Sequence, residues 1–432
     1  MVLCGALMGC VAGPSPTPEM TPPTVEPSPV ASQEAGRVEA PTSEPVDTGM
    51  GQRVYLPVVA RGPEFSVSGS NPDATQPAPE ASPAGPTPLP PAVPKPGYGV
   101  QVHLFAGDVT ETLGWVEGLG VGWVKQQVTW HTVEHGPDDF DWDVVDRAVE
   151  ACDRLGLKLM LSVVHAPDWT RVSELETGPP ADYAEFGRFM EQLATRYRGR
   201  VAAYELWNEP NLAREWRGDQ LDAGRFVALV AEGAKGVRAG DPAAVVISGG
   251  LAVTGINDGV VAIDDRVFLE GMYEAGVAEW VDGIGAHPYG FANPPGERWD
   301  DAEHEAPSHN DHPSFFFMDT LEDYRAIMVA HGDGGREIWV TEFGWPSVEG
   351  MGDMETEGWE YGLEVSEAEQ AAYVVEAFRM GEERAWVGRM FLWNLNLATI
   401  WGAGDPVSAY SLLRPDGSYR PAYVALRLAE PF

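Results

Sequence analysis

The chain has 432 residues, with 66 acidic against 28 basic side chains, a formal net charge of −38 and three cysteines. That balance excludes a nucleic-acid partner, which needs a basic surface, and argues against docking by charge on an anionic membrane. Cys4, Cys10 and Cys152 are too few for a disulfide scaffold, and no pair has metal-ligand spacing.

The chain opens on an apolar run, MVLCGALMGCVAG. Leu7-Met8-Gly9-Cys10 resembles a bacterial lipobox, without a basic segment before it, so residues 1–12 are read as a remnant of an export signal. The expectation is an extracellular or cell-surface protein, with membrane attachment only through a lipidated Cys10. Of the 37 prolines, 21 fall in the first 100 positions among Ser, Thr, Ala and Glu. Residues 13–96 therefore carry too little apolar surface to offset the entropy of ordering, and a disordered Pro-rich N-terminal tether is expected. Within it, Tyr55–Ala60 is a short apolar island of unassigned role. No later stretch is apolar enough to span a bilayer.

From Gly97 to the end, short apolar runs alternate with amphipathic ones. The runs are Tyr98–Phe105, Gly122–Trp130, Leu157–Val164, Ala202–Trp207, Ala244–Leu251, Val281–Ala286, Glu337–Thr341 and Met390–Trp393. Nearly continuous apolar character suits parallel strands covered on both faces. Between them, Val144, Val145, Ala148, Val149, Cys152 and Leu155, and then Phe186, Phe189, Met190, Leu193 and Tyr197, recur at helical spacing. Gly156, Gly199 and Gly240 stand where left-handed helix ends are wanted. Eight strand–helix repeats predict a (β/α)8 TIM barrel over residues 97–432. An open doubly wound sheet would announce itself by a Gly-rich phosphate loop after the first strand, and none follows Phe105.

Barrel chemistry sits at the C-terminal strand ends. The fourth run leads into Asn208-Glu209-Pro210-Asn211 and the seventh into Glu342-Phe343-Gly344. Two glutamates leaving strands at one narrow mouth match the pair of carboxyls that a glycosidase needs, one attacking and one protonating. His103, His165 and Trp393 close the first, third and eighth runs, and Trp401 follows the eighth. Long loops at Phe291–Asp319 and Pro346–Ser366 carry Trp299, Phe315-Phe316-Phe317, Trp359 and Tyr361; about half of these aromatic rings are expected to pack the loops and the rest to face sugar. His304, His309 and His312 share one loop with several carboxylates, but their spacing fits no zinc pattern, and no metal or cofactor is expected.

Glu205-Leu206-Trp207-Asn208-Glu209-Pro210-Asn211 resembles the acid/base motif of clan A glycoside hydrolases, and Trp339-Val340-Thr341-Glu342-Phe343-Gly344 resembles their nucleophile strand. The resemblance covers the whole barrel and is nearest to the family 39 group of β-xylosidases and exopolysaccharide hydrolases, with family 5 next. It implies a retaining β-glycosidase acting on a carbohydrate, a polysaccharide in this reading, with Glu209 as acid/base and Glu342 as nucleophile; a monomer is expected. It further implies that Asn208 holds the substrate's 2-hydroxyl and that His287 and Tyr289 stand near the nucleophile, Tyr289 donating to Glu342. Trp393 would be the platform for the sugar being cleaved, with His165, His103 and Trp401 as further substrate contacts. Lys125 stands where relatives often carry Arg, and it cannot reproduce a bidentate contact. A barrel that binds sugar without cutting it, or a transglycosylase using the same residues, are the alternatives.

Overall fold

In the computed structural model, residues 89–172, 178–302, 310–354 and 356–431 are described. Cys4, Cys10, Tyr55–Ala60, nearly all of the 13–96 segment, His304 and His309 lie outside them.

The eight expected strands form, and they close. They are β1 (Lys95–Val102), β2 (Val121–Thr129), β3 (Lys158–Val164), β4 (Val201–Leu206), β5 (Val245–Ser248), β6 (Gly283–His287), β7 (Glu337–Phe343) and β8 (Val387–Leu392). Every neighbouring pair is parallel. β8 pairs with β1 through Tyr98↔Met390, and β6 with β7 through Gly283↔Glu337, so the sheet has no free edge. Closure removes unpaired backbone groups that an open sheet must cover. The fold is a TIM barrel, as the strand–helix alternation predicts.

Helices α1 (Val109–Leu119), α2 (Asp143–Leu155), α3 (Tyr183–Arg196), α4 (Ala223–Gly240), α5 (Asp265–Glu274), α6 (Phe317–Ala330) and α7 (Glu367–Glu382) wrap the outside. Short α8 (Leu397–Trp401) and C-terminal α9 (Pro421–Leu428) complete the ring among the described residues. The periodic apolar residues of α2 and α3 lie in one continuous core between barrel and helices, and Cys152 is buried among them as a small apolar filler. Fully burying one such side chain is worth about 1.5–3 kcal/mol. Gly156 and Gly199 take left-handed backbone, φ 66° and 74°, as expected. Gly240 does not. It is the last residue of α4, and a Cβ there would come within 2.7 Å of Ala194 on α3. Its smallness serves close helix packing, which periodicity alone does not distinguish from a cap.

At the bottom of the barrel, buried Lys95 donates to the backbone carbonyls of Val93, Leu119 and Arg427. One ammonium with three donors thereby ties the start of β1 to the ends of α1 and α9. The expected fifth run breaks in two. Beyond Ser248, Gly249 and Gly250 interrupt it before the short strand Leu251–Ala252. A Cβ on Gly250 would meet the His287 ring at 2.3 Å, so the break makes room for a buried imidazole.

Candidate active site

Trp123, Met160, Ala203, Ile247, Trp339 and Phe391 fill the lower barrel interior. Side chains alternate along a strand, so the residues two positions on also face inward. Five of these are Lys125, Ser162, Glu205, Thr341 and Trp393, none more than 5% exposed. A charged layer thus sits directly on an apolar one.

Glu342 breaks this alternation. Between Val340 and Phe343 β7 spends three steps where β8 spends two, from Met390 to Leu392. The extra residue is a bulge, a device that re-aims side chains beside active sites. It turns Glu342 into the mouth although neighbouring Thr341 also faces inward, its hydroxyl 2.7 Å from where a Gly250 Cβ would stand. Phe343 then points outward and packs against Phe317 and Phe378.

Glu209 reaches the mouth by a sharp turn after β4. Trp207 and Glu209 hold positive φ, 76° and 43°, a conformation costing non-glycine residues roughly 1–3 kcal/mol and found most often at functional sites. The turn is fixed by bonds from the Glu209 N–H to the Gly250 carbonyl (3.0 Å) and from the Leu212 N–H to the Glu209 carbonyl (3.0 Å). The Trp207 indole is tied to the Glu215 carbonyl at 3.1 Å.

The two glutamates share one imidazole. His287 Nδ1 lies 3.3 Å from Glu209 Oε1 and 3.9 Å from Glu342 Oε2, and Nε2 is 3.9 Å from Glu205 Oε1. Burial works against a charge on His287, yet the nearby carboxylates, Glu342 first among them, outweigh it and push its pKa up to about 9. Lys125 Nζ lies 2.9 Å from Glu205 Oε2, 3.1 Å from Glu342 Oε1 and 3.2 Å from the Thr341 carbonyl. Burial opposes its charge as well, but Glu205 and Glu342 keep it raised. This explains Lys in place of Arg: three acceptors around a compact ammonium match its three donors, where a planar fork would match two.

Tyr289 donates to Glu342 Oε2 at 2.9 Å, and burial together with that carboxylate drives its own pKa far up, so it stays a donor. In the amide orientation that satisfies both neighbours, Gln101 donates to Glu342 Oε1 (2.9 Å) and accepts from Trp393 Nε1 (3.1 Å). Trp393 is also held edge-on by Tyr289 and Tyr410. Asn208 is buried with its Nδ2 unpaired, a donor available to a ligand. His103 packs near Trp401, centroids 6.3 Å apart, with Nε2 unpaired; burial, helped by Lys125, lowers its pKa to about 4 and leaves it neutral. His165 stands one step back, bonded to Glu215 at 3.2 Å; Glu215 faces Arg214, and Arg214 bonds Glu209 at 2.9 Å.

The structure thus brings the groups read from the sequence to one mouth and adds Glu205, Gln101 and Arg214, which that reading did not single out. Glu205 and Gln101 did carry a signal, each being a polar residue inside an apolar strand run. Arg214, on an irregular turn, carried none. Of the loop aromatics, Phe316, Phe317 and Tyr361 are buried packing, whereas Trp359 and Trp401 remain partly open beside the Trp393 cluster. Among the described residues no group of three or more His, Cys, Asp or Glu side chains could hold a metal ion.

A sequence model of the cellulase family, glycosyl hydrolase family 5, matches residues 116–379, a span that includes both mouth glutamates. The chain belongs to glycosyl hydrolase family 5. The clan A resemblance is therefore sound, with the family that ranked second by motif matched by the sequence model. This glycoside hydrolase is also similar in structure to a family 39 glycoside hydrolase from Bacteroides cellulosilyticus WH2, at TM-score 0.58 and 19% identity over 77% of this chain. It spans 64% of that enzyme's length. The family 39 enzyme from Xanthomonas axonopodis pv. citri gives TM-score 0.56 and 16% identity, covering 78% of this chain and 67% of that one. A family 10 endoxylanase from a sugarcane soil metagenome gives 0.50 and 16%, covering 76% and 96%. At such identities these likenesses bear on the fold alone. No curated protein matches the chain in sequence.

Proposed function

We propose that this glycoside hydrolase cleaves β-glycosidic bonds by double displacement, with Glu342 as nucleophile and Glu209 as acid/base. One observation carries the reading: a single nitrogen, His287 Nδ1, lies within 3.9 Å of an oxygen of each carboxylate. That closeness suits the roughly 5–5.5 Å separation of retaining enzymes better than the roughly 6.5–9.5 Å that leaves room for an inverting water.

The two environments suit the two tasks. Glu342 accepts from Lys125, Tyr289 and, in the satisfying orientation, Gln101, so its carboxylate is held in place and aimed. It attacks the anomeric carbon while Glu209 gives its proton to the leaving oxygen. Glu209 then takes a proton from water, which opens the glycosyl ester. Arg214, which bonds Glu209 at 2.9 Å, is partly exposed on a turn, so an arriving sugar can displace it. Asn208 meets the 2-hydroxyl, and Trp393 stacks on the ring beside neutral His103, with Trp401 farther out. The family and the open aromatic rim support a β-linked polysaccharide as substrate; a tethered, monomeric enzyme meeting it outside the cell is the reading of the Pro-rich N-terminal sequence.

The test is a panel of β-linked polysaccharides and aryl β-glycosides given to the wild type, Glu209→Gln and Glu342→Gln. Retention at the anomeric carbon, read by NMR before mutarotation, with both variants dead, is the expected result. Inverted product would overturn the mechanism, and binding without cleavage would make the protein a lectin-like barrel.

A further inference from the structure

Glu205 has no part in the two-carboxylate chemistry just proposed, yet it is fully buried on β4 beneath the mouth. Its Oε2 forms an ion pair with Lys125 at 2.9 Å and its Oε1 accepts from the Gly250 N–H at 3.2 Å, facing His287 Nε2 at 3.9 Å. Those two cations also touch the mouth glutamates. Lys125 divides its donors between Glu205 and Glu342, and His287 divides its two nitrogens between Glu205 below and the Glu209–Glu342 pair above.

We propose that Glu205 is a positioning residue, a buried counter-anion that keeps Lys125 and His287 charged and shared rather than committed to the nucleophile. The inference rests on the assignment of Glu209 and Glu342 above. Its physical basis is a shared pair of cations. Lys125 and His287 stand between buried Glu205 and the mouth glutamates, while Arg214 faces Glu209 and Glu215. Remove Glu205 and two buried cations have only the working carboxylates to lean on. Lys125 then binds Glu342 more fully, which stabilises the ionised nucleophile and dulls it, and His287 loses an anion that offsets its burial. Burial presses Glu205 itself toward the neutral form, but Lys125 and then His287 hold its pKa well below the usual carboxylate range. It therefore stays an anion across the working pH. The other ionisable neighbours of this cluster are Tyr289, which remains neutral, His103, kept neutral by burial and Lys125, and Glu215, which faces Arg214 and His165.

The experiment compares the wild type with Glu205→Gln, which keeps the shape and the bond to Gly250 and removes the charge. Histidine-labelled protein gives the His287 imidazole titration by nitrogen NMR without any substrate. It should fall by about one unit or more. In kinetics, removing an anion lowers the pKa values of the groups around it, so both limbs of the kcat/KM profile should move to lower pH. kcat should drop roughly tenfold or more with KM within about threefold, as for a group that acts only through others. If Glu205→Gln does not fold, Glu205→Asp draws the charge back from Lys125 and should shift the same readouts less. A loss of kcat or of melting temperature with the His287 titration and both limbs unmoved would make Glu205 a mere structural support and overturn the proposal. So would unchanged kinetics and titration. Active Glu209→Gln or Glu342→Gln controls would instead sink the mechanism and leave the titration to judge Glu205.

Discussion

The lower and upper ends of the barrel interior are built from the same strands, at positions two residues apart, and both are almost fully buried. Below, Trp123 meets Trp339 and Phe391 edge to face at 5.6 and 6.1 Å, and Lys158, Arg389 and Glu337 touch this cluster only through the outer Trp123 and Trp339 rings. Above, Lys125, Glu205 and His287 are as buried as those rings, but each is held by opposite charge. A buried ring contributes by area and shape. A buried ion contributes only while its partners are in place, and losing one partner leaves the rest stranded. The lower end should therefore answer to mutation in stability, and the upper end in chemistry and pH dependence.

The sharpest way to break that contrast is at the mouth itself. Glu342→Gln and Glu209→Gln should each cut turnover by at least about a thousandfold while shifting the melting temperature little. If either variant instead unfolds with its activity per folded molecule intact, the upper end is structural and the comparison fails. Lys125→Met comes next. It should lose both, about 3–5 kcal/mol of stability because two buried carboxylates lose their cation, together with most of kcat. Urea unfolding and steady-state kinetics on one preparation would check this. Phe391→Ala, at the lower end, should cost about 3–5 kcal/mol by cavity formation with kcat of the folded enzyme nearly unchanged.

Smaller effects sharpen the contrast. Arg214→Gln removes the partner that Glu209 bonds at 2.9 Å, so kcat should fall by about tenfold or less, well short of Glu209→Gln. A loss as large as that of Glu209→Gln would mean that Arg214 itself carries the chemistry. Last is a stability effect. His287 has a folded pKa of about 9 against about 6.5 unfolded. Its contribution is fully present below about pH 6.5 and fades as pH rises toward 9. The melting temperature should decline over that window, and less so in His287→Gln; equal slopes would show that His287 is not the group responsible.

How much of this was legible beforehand varies by residue, for physical reasons. Periodicity and run length bounded each strand to within a few residues because burial on both faces forces apolar composition. The mouth groups Asn208, Glu209, His287, Tyr289, Glu342 and Trp393 were readable because each interrupts or closes such a run. Glu205 and Gln101 interrupt runs too, but in mid-strand, where only knowing which face points inward shows that they reach the site. Gly240 was misread as a cap since a close helix contact and a left-handed turn both ask for glycine.

The amino-acid sequence by itself determined the barrel and the placing of two glutamates at one face of it, because these follow from local composition and from strand order. Only the tertiary structure decided how those groups work together. The bulge that turns Glu342 inward, the Gly249-Gly250 break that admits His287, and the sharing of Lys125 between Glu205 and Glu342 depend on register and on distances across the barrel. Residues more than 200 positions apart meet there, and no local pattern records the charge balance they must strike.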